Sequence, residues 1–77
     1  MAAKKYDVLK TFSPANLARL RGDRAYHTLA VEITQKTGVA MHPDTLRKWE
    51  DGTNLPTGEK LAALGAFFGI PIDDLFE

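Results

Sequence analysis

Residues 38–52 read GVAMHPDTLRKWEDG, and how this stretch folds decides how the chain around it is arranged. His42 and Pro43 mark a helix start, because proline tolerates the first helical position, where its missing N–H has no partner to lose. Asp44 then suits the positive end of the helix dipole. Leu46 and Trp49, three apart, give a narrow apolar stripe, while Asp44, Thr45, Arg47 and Lys48 point elsewhere. Gly52 ends the helix, so Pro43 to Glu50 is too short to be stable alone. Clamped on its Leu46 and Trp49 side, it presents a row of hydrogen-bonding side chains outward, the geometry of a helix laid in a groove.

Upstream, Val39 to Met41 makes the turn into this helix. A longer helix is predicted from about Tyr26 to Lys36, with Leu29, Ala30 and Ile33 on its buried side and Gly38 just past its end. The small side chain of Ala30 lets the following helix cross closely. Before it, Ser13 caps a helix that begins at Pro14, buries Leu17 and Leu20, and stops at Gly22 and Asp23. Arg19, Arg21 and Arg24 cluster at that end, where both the helix dipole and a phosphate are fitting partners. Tyr6, Val8 and Phe12 alternate in the first twelve residues, which we read as an extended arm (1–12) leading into one domain (13–77).

Downstream, Thr53, Asn54 and Leu55 form a polar connection to Pro56, and Thr57 is the expected N-cap of a fourth helix, with Glu59 in its first turn. Leu61, Ala62, Leu64, Ala66, Phe67 and Phe68 make that helix the expected floor of the core, and Gly69 ends it. A last turn from Pro71 to Phe76 returns Ile72, Leu75 and Phe76 to the core or offers them to a partner.

With 77 residues, 44% hydrophobic and 26% charged, the chain supports one small domain with a modest core. It has no cysteine, which removes disulfides and thiolate metal sites and suggests a reducing cytoplasm. No apolar run approaches the roughly 20 residues of a membrane span, and MAAKKYDVLK lacks the apolar core of a signal peptide. The net charge is zero, yet it is unevenly spread. Basic residues predominate up to Lys48; beyond it only Lys60 stands against Glu50, Asp51, Glu59, Asp73, Asp74 and Glu77. Such a division can turn a basic face to phosphate and an acidic end to solvent.

From about Asn16 to Phe76 the chain resembles the lambda-repressor-like, Cro/XRE-type helix-turn-helix DNA-binding domain. The resemblance rests on Leu20-Arg21, Leu29-Ala30 with Ile33, Thr45-Leu46 followed by Trp49-Glu50-Asp51-Gly52, then Pro56, the run Leu61 to Gly69, and Ile70-Pro71-Ile72-Asp73-Asp74-Leu75. None of these pieces is specific alone; their order and spacing are. The resemblance implies an all-α fold, a compact five-helix bundle. The interval from Ala30 to Gly38 is longer than the family pattern by roughly one turn, lengthening the second helix. The connection between Leu20-Arg21 and Leu29-Ala30 is shorter.

Carried over position by position, the resemblance puts His42, Asp44, Thr45 and Arg47 where bases are read. Arg47 stands first, because a guanidinium can donate two hydrogen bonds to guanine O6 and N7. Asp44 has two readings, an acceptor for cytosine N4 or only a partner of the helix dipole, and His42 either approaches the duplex or merely precedes Pro43. Tyr26, His27, Thr28, Lys48, Thr53 and Asn54 fall where the family meets phosphate, although capping or plain exposure accounts for each as well. Arg21 and Glu50 match a structural salt bridge, and Trp49 reads as core.

The function so implied is a sequence-specific regulator of transcription that binds double-stranded DNA, in the manner of a phage or bacterial repressor working as a homodimer on a palindromic operator. A protein-binding adaptor or an antitoxin using the same fold is the alternative, favoured by the zero net charge and by Asp44 in the reading helix. An enzyme is not expected. Ser13 is occupied as a cap, and His27 and His42 share no metal-ligand spacing with the acids. Nothing calls for a cofactor.

Overall fold

The computed structural model describes residues 11–77, so Tyr6 and Val8 of the expected arm lie outside the described residues. Four α-helices follow in order: α1 (Pro14–Arg21), α2 (Tyr26–Thr37), α3 (Pro43–Asp51) and α4 (Gly58–Phe68). A 3-10 turn, Ile72–Leu75, closes the chain. Among the described residues the fold is all-α, with four helices and this four-residue turn against the expectation of five helices. No helix among the described residues is long and apolar enough to cross a membrane.

Local chemistry sets each boundary. Ser13 Oγ accepts the Asn16 N–H at 3.1 Å and so caps α1, whose first residue is Pro14. Gly38 and Gly52, both in the left-handed conformation that disfavours other residues, end α2 and α3. At α4 the expectation fails in part. Thr57 occupies the N-cap position without making a side-chain cap, and Gly58 just after it has a φ of +55°. That left-handed residue redirects the chain, so it is the Thr57 carbonyl that receives Lys60 and Leu61 N–H.

Leu17, Leu29, Ile33, Leu46, Leu64 and Leu75 are fully buried, with Ala30, Met41, Trp49 and Ala63 beside them. The buried face of α4 differs from the expected one. Ala63, Leu64 and Gly65 are inside, whereas Ala62 and Ala66 face solvent. The 3-10 turn lies against α4, and the bare Cα of Gly65 meets it, since a Cβ there would come within 3.2 Å of the Ile70 carbonyl oxygen. Phe12 belongs to the core and pairs as an antiparallel bridge with Phe76.

α3 packs against both α1 and α2. The connection from α2 is fastened by Thr34, whose Oγ1 donates to the Ala30 carbonyl at 2.8 Å and accepts the Met41 N–H at 2.9 Å. The chain before α3 is thereby tied to the last turns of α2.

Candidate nucleic-acid interface

α3 is held by burial on one side. Leu46 is wholly inaccessible and Trp49 is 2% exposed. Its C-terminal turn is tied down as well. Glu50 accepts Arg21 Nε at 2.7 Å and Arg21 Nη2 at 3.0 Å, the side-on geometry of a guanidinium on a carboxylate. Tyr26 adds a third donor, its hydroxyl lying 3.0 Å from Glu50 Oε1, and the Arg21 guanidinium sits 4.3 Å from the centre of the Tyr26 ring. The hydrogen bond to Glu50 raises the Arg21 pKa, and burial followed by the same carboxylate raises that of the Tyr26 phenol. The Arg21 and Glu50 pair thus joins α1 to α3 as a structural contact.

The opposite side of α3 is open. Side chains of Asp44, Arg47 and Lys48 are 62%, 48% and 40% exposed, so none is consumed by the core. They are, however, consumed by one another. Arg47 donates from Nε at 3.2 Å and from Nη2 at 2.7 Å to Asp44 Oδ1, and from Nη1 at 2.9 Å to Asp51 Oδ2. Lys48 Nζ stands 3.4 Å from Asp44 Oδ2. The bond from Arg47 holds the Asp44 carboxyl below its ordinary pKa, and Asp44 in turn raises that of Arg47. Asp51, which sequence reasoning left out of the face, is its fourth charge; the i, i+4 spacing from Arg47 was the signal that could have found it.

The remaining candidates lie on α3, at the start of α2 and just after α3. His42 is exposed at the N-cap of α3 without a side-chain cap, and Thr45 is half-buried. His27 and Thr28 are exposed in the first turn of α2. Tyr26 is separated from them in role, because its hydroxyl is spent on Glu50. Thr53 and Asn54 are exposed, but their backbone N–H groups both go to the Lys48 carbonyl, at 2.9 and 3.3 Å, leaving only their side chains for a ligand.

The basic side chains before α3 are each engaged among the described residues, Arg19 and Lys36 without a carboxylate. Arg19 is bonded to Asn16, and Arg21 to Glu50. Arg24 lies 3.5 Å from Glu32 and over the Phe67 ring, which Lys36 also approaches. Lys4, Lys5 and Lys10, which weigh heavily in the basic half, lie outside the described residues. Comparison with protein-family models, curated proteins and solved structures found no match.

Proposed function

We propose that this chain is a sequence-specific double-stranded-DNA-binding regulator of the Cro/XRE helix-turn-helix type, reading a major groove with α3. The observation that carries the reading is the division of that helix. Leu46 and Trp49 anchor it completely, and Asp44, Arg47 and Lys48 stand together on its accessible side. A polar rod of nine residues offers a few side chains to base edges in a groove while the bundle behind it supplies the support. One such helix reads few base pairs, so a homodimer on a palindromic operator is the assembly that suits it.

A second reading, a protein-binding adaptor or antitoxin, is favoured by one feature. The outward charges of α3 are balanced, two acids against two bases, and already paired. Selection from a random duplex pool, followed by salt titration on the selected sequence, separates the two readings. A DNA reader retains a motif and loses affinity steeply as salt rises, because phosphate contacts release counterions. Failure to retain duplex even at low salt would favour the adaptor.

Single substitutions assign the roles. Arg47→Ala should weaken the selected site by roughly tenfold or more and leave scrambled duplex nearly unaffected; equal losses on both would make it a phosphate contact. Lys48→Ala should weaken all sequences alike and flatten the salt slope by about one unit. An unchanged slope would remove Lys48 from the interface.

A further inference from the structure

Arg47 is gripped by two carboxylates that reach it from different directions. Asp44, one turn earlier, takes Nε and Nη2 on a single oxygen and so lies along the side of the guanidinium. Asp51, one turn later, takes Nη1. A side-on carboxylate restrains the torsion angles of a long side chain and still leaves Nη1 and Nη2 with hydrogens to donate at the tip. Two parallel donors at the tip are what guanine O6 and N7 accept. Asp51 draws on one of those two nitrogens, Nη1.

The two acids also differ in their surroundings. The second oxygen of Asp44 faces Lys48 Nζ at 3.4 Å, so Asp44 is shared between two cations. No second cation is bonded to Asp51 among the described residues. Opening the Arg47–Asp51 contact leaves the Asp44, Arg47 and Lys48 group with a net positive charge; opening the Arg47–Asp44 contact scatters it.

On the premise that α3 reads duplex DNA, we propose that Asp44 is a positioning residue that aims Arg47 at a base. Asp51 is an internal competitor that holds Arg47 Nη1 until a duplex displaces it, and so lowers affinity for any sequence. The Arg47–Asp51 pair opens on binding and the Arg47–Asp44 pair persists. Both carboxylates repel phosphate, so random duplex is held weakly, whereas the neutral acceptors of guanine still receive the tip. Asp44 then serves discrimination through the aim it gives Arg47, and Asp51 lowers affinity for every duplex alike.

The test uses Asp44→Asn and Asp51→Asn in the full chain, both at exposed positions. Dissociation constants are measured for a selected duplex and for a scrambled duplex of equal length, and exchange of the Arg47 Nε–H is followed by NMR in the free protein. Asp51→Asn should tighten both duplexes several-fold and keep their ratio. Asp44→Asn should tighten the scrambled duplex alone, so that the ratio falls by roughly tenfold. Exchange of the Nε–H should accelerate in Asp44→Asn and stay unchanged in Asp51→Asn. A ratio that survives Asp44→Asn, or one that collapses in Asp51→Asn, overturns the assignment while DNA binding itself stands. Absence of duplex binding by the unmodified protein takes the premise and the proposal down together.

Discussion

Glu50 receives three donors from two other helices, and its side chain is only 7% exposed. Removing a carboxylate so placed strands the Arg21 guanidinium and the Tyr26 hydroxyl together. Glu50→Ala should therefore cost about 2–4 kcal/mol, against about 1 kcal/mol for Tyr26→Phe, which deletes one hydrogen bond and keeps the ring under Arg21. Urea denaturation with an unchanged slope measures both, and equal costs would mean that the carboxylate is not the centre of the contact. Arg21 and Glu50 were legible as a pair from the sequence. Tyr26 as their third member was not, because an aromatic at a helix start has no local signature for a bond to a carboxylate on another helix. Asp44 carries a pH dependence of known sign. Its folded-state pKa lies below the ordinary 3.8, chiefly through the hydrogen bond from Arg47. Its contribution to stability is thus present above the ordinary carboxylate range and lost as pH falls through the lowered folded value. An NMR titration should place its midpoint below that of a free aspartate and show it rising in Arg47→Ala. The same midpoint in both proteins would mean that the pair does not form in solution.

Among the elements, α3 was the most legible, since proline at its start, glycine at its end and two apolar residues three apart all belong to one short stretch. α4 was less so. From Leu61 on, apolar residues occupy nearly every position, so periodicity could not choose which alanines face inward, and Ala63 rather than Ala62 or Ala66 does. The choice is made by packing against α2 and the 3-10 turn, which is information from outside the helix. Gly65 marks that contact. In a free helix Gly→Ala gains about 1 kcal/mol, but here the added methyl would press on the Ile70 carbonyl and on Ile72 Cγ1 at 3.2 and 3.3 Å. The carbonyl cannot easily recede, because the Ile70 N–H is bonded to the Gly65 carbonyl at 3.0 Å and Pro71 follows. Gly65→Ala should accordingly lower stability despite its better propensity, and a raised melting temperature would show that the 3-10 turn yields. Thr34 has the same role between α2 and α3. Thr34→Val preserves shape but leaves the Met41 N–H without its acceptor, which should cost about 1–3 kcal/mol and speed hydrogen exchange at Met41. Unaltered exchange there would deny Thr34 its part in fixing the entry to α3.

At the scale of the molecule, the two ends of the described chain close on each other. Thr11 and Glu77 exchange backbone hydrogen bonds at 3.0 and 2.9 Å, Ser13 N–H reaches the Leu75 carbonyl at 2.8 Å, and Ser13 Oγ donates to Glu77 Oε2 at 2.9 Å. Between them Phe12 meets Phe76 edge to face, with ring centres 6.1 Å apart. Such a clasp is hard to read from sequence, since two residues of extended backbone at each end carry no periodicity, and the pairing spans almost the whole chain. Its energetic weight follows from size. A domain this small has a total stability of roughly 5–10 kcal/mol, so one buried aromatic is a large share. Phe12→Ala should cost about 3–4 kcal/mol through lost burial and the cavity left beside Phe76. That loss should lower the melting temperature by more than about 10 °C in a domain of this length. The loss should come without a local effect on α3 if that helix is held by the Arg21, Glu50 and Tyr26 contact, whose hydrogen bonds involve neither Phe12 nor Phe76. A Phe12→Ala protein kept folded at low temperature should therefore retain the slow Arg47 Nε–H exchange of the parent. Faster exchange in the folded variant would mean that the clasp and the outward face of α3 are coupled, and that pairing of Phe12 with Phe76 helps to set the conformation of Arg47.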